Sequence, residues 1–136
     1  TALDADDNGN LVDATANTFT QTFTAAATLG AGWFCYYRNS GTGEVTFNPD
    51  GSETIDALTT FVCYPGEARL ITCDGSNFFS VVLTGFYIEY TSGANTFTKP
   101  PGYKSFQVDL WGAGGGASSG GKGTGGAGAT GGNESC

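Results

Sequence analysis

The chain has 136 residues, 23 of them Gly, with no Met, no His and a formal net charge of -8. Without His there is no Ser-His or Cys-His catalytic pair and no His-ligated metal site, because no other side chain supplies a neutral base near pH 7 without a large pKa shift. The scarcity of Lys and Arg disfavours nucleic acid, which needs cations to displace phosphate counterions, and no apolar run approaches the ~18 residues of a membrane span.

Residues 4–9 (DADDNG) match the first half of a calcium loop, with Asp4, Asp6 and Asn8 as the oxygen ligands and Gly9 allowing the chain to wrap the ion. The last ligand of such a loop is a bidentate Glu, and here that position is Thr15, so no metal is favoured. The alternative is a turn in which the Asp and Asn side chains satisfy nearby backbone N–H groups.

No stretch repeats apolar residues at the helical interval, and short alternating runs rich in Thr, Val and aromatics predict strands instead. Residues 18–24 (TFTQTFT) place Phe19, Gln21 and Phe23 on one face and four Thr on the other. Such a Thr row could face ice or sugar, and is more commonly the outer face of a strand. Residues 31–38 (AGWFCYYR) are almost continuously apolar and predict a central strand buried on both faces, with Trp33, Phe34, Tyr36 and Tyr37 in a core or subunit interface. Further strands are predicted over 44–47, 53–58, 60–64, 68–73 and 78–83, each bounded by Asn, Asp, Gly or Pro turn chemistry. Residues 86–91 (FYIEYT), 96–98 and 103–111 (YKSFQVDLW) read as a second set of strands, with Lys99-Pro100-Pro101-Gly102 as a rigid corner between the last two.

Charge and Gly divide the chain in two. Residues 1–84 carry ten acids and two bases, whereas residues 85–136 carry three of each. The tract that opens at Gly112 and closes at Gly132 holds 12 Gly in 21 positions. The expected fold is all-β: a small antiparallel, jelly-roll-like sandwich over residues 1–84, a short β segment over 85–111 that opens a distal domain, and a Gly-rich tract over 112–136. A module of this size is near the limit of what a core stabilises alone, so self-association is expected. Cys35, Cys63, Cys73 and Cys136 match no disulfide framework, and the first three read as small buried hydrophobes. The absence of Met is expected of a processed product or a segment of a longer chain.

Several motifs could carry chemistry. Residues 116–122 (GASSGGK) fit the start of a phosphate loop, but Gly123 stands where Ser or Thr should hold magnesium, and residues 123–128 (GTGGAG) satisfy a dinucleotide pattern that any Gly-rich tract will meet. Asp50, Glu53, Asp56 and Glu67 could furnish the carboxylate pair of a glycosidase, although acids near turns are usually solvated. Trp111 stands just before the Gly tract, where backbone could pack over its ring, or it is a satellite core residue. No catalytic role and no cofactor are expected.

The run over residues 3–83, with LDADDNGNLVDAT, TFTAAATLGAGWFCYYRNSGTG, NPDGSETID, YPGEARLITCDG and FFSVVL, resembles a module of tail fibre and related fibre proteins of tailed bacteriophages. NTFTKPPGYKSFQVDLWGAGGG resembles the start of the glycine-rich distal domain that comes after it in many such proteins. The resemblance implies a homotrimeric virion fibre, made in the host cytoplasm, that binds other virion proteins and a host-surface receptor or glycan. Tyr103, Trp111 and the Gly112 to Gly132 tract are its candidates for receptor contact. The chain departs from the pattern by stopping at Cys136, soon after the densest Gly. A capsid or baseplate decoration protein and a polysaccharide depolymerase are the alternatives.

Overall fold

Among the described residues seven strands form: β1 (Leu11–Ala14), β2 (Phe19–Thr22), β3 (Phe34–Asn39), β4 (Val45–Asn48), β5 (Phe61–Cys63), β6 (Ala68–Cys73) and β7 (Phe78–Thr84). The computed structural model describes residues 2–110. Two sheets form, one ordered β1-β3-β6-β7 and the other β2-β4-β5. The all-β expectation therefore holds, with mixed rather than wholly antiparallel sheets. β3 with β6, β4 with β5 and β6 with β7 run antiparallel, while β1 with β3 and β2 with β4 run parallel.

The parallel pairs have a topological cause. The chain crosses from the large sheet to the small one between β1 and β2, and again between β3 and β4, so the two arches lie side by side. Ser40 and Gly41 both donate backbone N–H to the Ala14 carbonyl at 2.9 Å, and Phe19 donates to the Glu44 carbonyl at 3.2 Å. Buried Asn39 holds the upper arch, its amide donating to the Gly43 and Cys63 carbonyls at 2.9 Å while its oxygen accepts from Gly41 N–H. The arches are so close that a Cβ on Gly41 would fall 2.1 Å from the Ala16 oxygen, and one on Gly43 would fall 2.1 Å from the Thr18 nitrogen. Because that obstacle is backbone, Gly43→Ala is expected to lower the unfolding free energy by about 1–3 kcal/mol. Gly85→Ala, whose new methyl would meet only a Tyr103 ring carbon at 3.9 Å, is expected to be near neutral. Urea unfolding of the two variants side by side checks this, and equal stabilities would rule out the stacked arches.

The core lies between the sheets. Cys35, Tyr37, Val45, Phe47, Ile55, Ile71 and Phe78 are fully buried there. Gln21 joins them, accepting from the Tyr37 hydroxyl at 3.2 Å. One short helix, α1 (Ala26–Leu29), interrupts the strands; its N-cap Ala25 has no acceptor, and the Glu53 carboxylate takes the Ala26 N–H instead at 2.9 and 3.0 Å.

Three sequence expectations change. β3 is not buried on both faces: Cys35, Tyr37 and Asn39 point inward, while Phe34, Tyr36 and Arg38 are exposed. The 53–58 run is a tight reversal in which Ile55 and Leu58 exchange backbone hydrogen bonds at 2.8 and 2.9 Å around Asp56 and Ala57, both at positive φ. Residues 85–110 contain no strand. Pro100 and Pro101 have no N–H for a ladder, and residues 85–104 attach to the sandwich through side chains and isolated carbonyls. The compact unit accordingly runs Thr1–Lys104, past the composition shift at Thr84. In the second unit, Ser105–Cys136, Gln107 donates to both Asp109 carboxylate oxygens at 3.0 and 3.2 Å.

Candidate functional site

β6 reads ARLITC and buries every second residue, so the period that puts Ile71 and Cys73 in the core also puts Arg69 there. Two positions earlier, Glu67 is likewise fully buried. A buried guanidinium needs compensation for lost hydration, and this one has it on every side. Its Nε donates to Glu67 Oε1 at 2.5 Å and its Nη1 to Ser80 Oγ at 2.7 Å. Its Nη2 donates to the Pro101 carbonyl at 2.9 Å. The Phe61 ring lies beneath it at 4.6 Å and the Tyr103 ring beside it at 5.7 Å, both within cation–π range. Ser80 passes the contact on to Asp56, donating from its hydroxyl to Oδ2 at 2.5 Å and from its backbone to Oδ1 at 2.8 Å.

The Pro101 carbonyl comes from the segment after β7, which folds back against the sandwich. Pro100 is buried, and Gly102 takes φ 89°, the left-handed conformation that suits Gly after Pro in a turn. Tyr64 stacks on Phe86 at 4.7 Å, and Phe86 meets the Tyr103 ring edge-on at 5.2 Å. The Tyr64 hydroxyl donates to the Thr98 carbonyl at 3.3 Å, the Tyr103 hydroxyl to the Thr84 carbonyl at 3.4 Å, and Lys99 Nζ to the Tyr103 carbonyl at 3.1 Å.

Burial pushes the Glu67 carboxyl above its usual range, opposed by Arg69 and by the Tyr64 N–H that donates to Oε2 at 2.9 Å. Burial, with Glu67 next, likewise raises the Tyr103 phenol. The thiols of Cys35, Cys63 and Cys73 are free and buried. Burial pushes Cys35 up to about 12 and Cys63 further in the same direction, so neither is a thiolate nucleophile. The arrangement holds the chain's own following segment: a fixed, fully buried cation takes the Pro101 carbonyl, and the Tyr64, Phe86 and Tyr103 rings pack together beside it.

The residues singled out from sequence fall elsewhere. Asp4 caps a 3-10 turn (Ala5–Asp7), its carboxylate accepting from Asp6 N–H while Asp7 accepts from Asp4 N–H. Asn8 Oδ1 accepts from Phe34 N–H at 3.1 Å, and the Trp33 indole donates to the Asp4 carbonyl at 2.9 Å. Asp4, Asp7 and Asn8 thus spend side-chain oxygens on backbone N–H groups of this turn and of β3, while Asp6 is exposed. Trp33 and Tyr37 belong to the core, whereas Phe34 and Tyr36 share the outer face with rings edge-on at 6.1 Å. Of the four carboxylates weighed for hydrolysis, Glu53 caps α1, Asp56 holds Ser80 and Glu67 holds Arg69, while Asp50 sits on an exposed turn. Tyr103 is half-buried in the clamp, and Trp111, the Gly112 to Gly132 tract and Cys136 lie outside the described residues. Among the described residues no helix is long and apolar enough to cross a membrane.

Sequence reasoning missed Arg69 and weighed Glu67 only as a carboxylate for hydrolysis, although the signal was present: carrying the alternation back from Cys73 and Ile71 places both charges on the core face.

No protein-family model matches the chain, and no curated protein or solved structure does either.

Proposed function

We propose that the chain is a structural and adhesive module of a tailed-bacteriophage virion fibre, assembling as a homotrimer and carrying its Gly-rich C-terminal part toward a host-surface receptor. The observation that carries this reading is the Arg69 clamp. For stability alone, an apolar residue at position 69 would serve as well as a buried ion pair. The guanidinium instead grips the Pro101 carbonyl and so fixes the segment through which the chain leaves the sandwich. A module that displays its C-terminal continuation needs that exit held; a free-standing binding domain does not. The resemblance of the two sequence blocks to fibre modules, in the same order, agrees.

The test uses the full chain, fluorescently labelled, on a panel of bacterial strains, with mass photometry at micromolar concentration alongside. Assembly with adherence to a subset of strains is the expected result, and the double variant Glu67→Gln with Arg69→Met, which replaces the buried pair without leaving a charge unpaired, is expected to weaken adherence more than assembly. Assembly with no adherence would point to the decoration-protein alternative. A stable monomer that adheres nowhere would end the fibre reading.

A further inference from the structure

The two sheets present opposite kinds of outer surface. On the small sheet, Thr20, Thr46 and Val62 lie in register, with Thr22 beside Asn48 in the next row. On the large sheet, Leu11, Tyr36, Leu70 and Val81 lie in register across all four strands, and Phe34, Thr72 and Phe79 form the next row. Leu11, Phe34, Tyr36, Phe79, Val81 and Leu83 remain between 36% and 61% exposed. At ~4.8 Å between strands, the first row alone is about 14 Å of apolar side chains.

We infer that this outer face of the four-stranded sheet is the surface through which copies of this chain meet. Two observations select a second copy over other occupants. The first is charge: the chain carries 13 acids and 5 bases, so copies repel each other over most of their surface. On this face the only outward charges from the four strands are Asp13 and Arg38, which offset each other at 4.0 Å. Acidic chains approach one another here with the least opposition, and an Asp-Arg pair at the rim is self-complementary in sign.

The second is area. Six large apolar side chains exposed to this degree amount to a patch on the order of 500 Å², at the upper end of what a monomer shows. Two such faces would bury about 1,000 Å², the lower bound for a specific contact. The inference rests on the self-association in the proposed function and adds the surface that performs it.

Sedimentation velocity of the full chain, over a range up to about 100 μM, tests both separately. The wild type is expected to sediment as a multiple of the 13.9 kDa chain. Val81→Lys and Tyr36→Lys should each raise the apparent dissociation constant by about tenfold or more, while Thr20→Lys on the small sheet leaves it unchanged. Circular dichroism at low concentration verifies folding; Leu11→Lys, at the exposed edge strand, replaces either large-sheet variant that does not fold. A wild type that associates equally well with both large-sheet lysines refutes this surface and leaves self-association standing. A wild type that stays monomeric throughout the range overturns both.

Discussion

Arg69→Ala is expected to lower the unfolding free energy by about 3–5 kcal/mol, a large share of the ~5–15 kcal/mol that holds a domain together. The loss comes less from the missing attraction than from the groups left unpaired. Glu67 is fully buried and would keep the Tyr64 N–H, but not the guanidinium that neutralises it. Ser80 and the Pro101 carbonyl would each lose a donor, and the segment that ends in the buried Pro100 corner would lose its charged anchor. Limited proteolysis should therefore cut between residues 85 and 99 faster in the variant than in the wild type. The double variant Glu67→Gln with Arg69→Met is expected to recover most of the stability, because the pair is then replaced rather than broken. It should not recover protection of the 85–99 segment, which depends on the Pro101 contact.

The same substitution has a pH signature. The folded carboxyl of Glu67 already sits above its unfolded value through burial, and Arg69 is the strongest influence opposing that shift. Without Arg69 the folded pKa climbs further while the unfolded one stays. Between the two values the native state binds the extra proton, so stability falls as pH rises. The Glu67 contribution is fully present below the ordinary carboxylate pKa and is lost as pH rises through the raised one. The deficit of Arg69→Ala relative to wild type should be smallest near about pH 4 and grow toward about pH 7. Urea unfolding across that range measures it, and a deficit independent of pH would mean that Glu67 is hydrated in the variant.

How far the fold is legible in the sequence depends on the range of the interactions concerned. β2, β4, β5, β6 and β7 were visible because Thr, Val and aromatic alternation between turn residues is local information. β1 was not, since LVDA is short and holds its place through parallel pairing with β3, twenty-odd residues away. The 53–58 run looked like a strand because Ile55 and Leu58 are apolar; positive φ at Asp56 and Ala57, held by the Asp56 contacts to Ser80, reverses it. The aromatic residues after Thr84 suggested ladders, yet Phe86 and Tyr103 pack as rings around Tyr64 and Arg69. Of the candidate site, the rigid Pro-Pro-Gly corner was legible and its partner was not, because a charge at a core position is recognised only once the inward face of β6 is assigned.

Phe47→Ala is expected to cost about 3–5 kcal/mol, while Phe34→Ala, ten or so residues away in a run of similar apolarity, should cost under about 1 kcal/mol in the dilute monomer. Phe47 is fully buried and meets three rings edge-on, Tyr37 at 4.8 Å, Phe61 at 5.2 Å and Phe23 at 5.8 Å. Those rings come from strands of both sheets and from the chain between β2 and α1, so the cavity left by truncation has no single neighbour able to fill it. Phe61 also carries the Arg69 guanidinium on its face, so loosening the aromatic cluster weakens the clamp as well. Phe34, by contrast, touches Tyr36 on the open face of β3, and its removal exposes no core. For a unit of about 100 residues, 1 kcal/mol corresponds to ~4–8 °C in Tm, so thermal melts at low concentration should separate the two variants by more than about 10 °C. Equal losses would mean that β3 is covered on both faces within one chain, as its unbroken apolar sequence suggests. Unequal losses that converge as concentration rises would instead show that Phe34 is covered by a neighbouring copy.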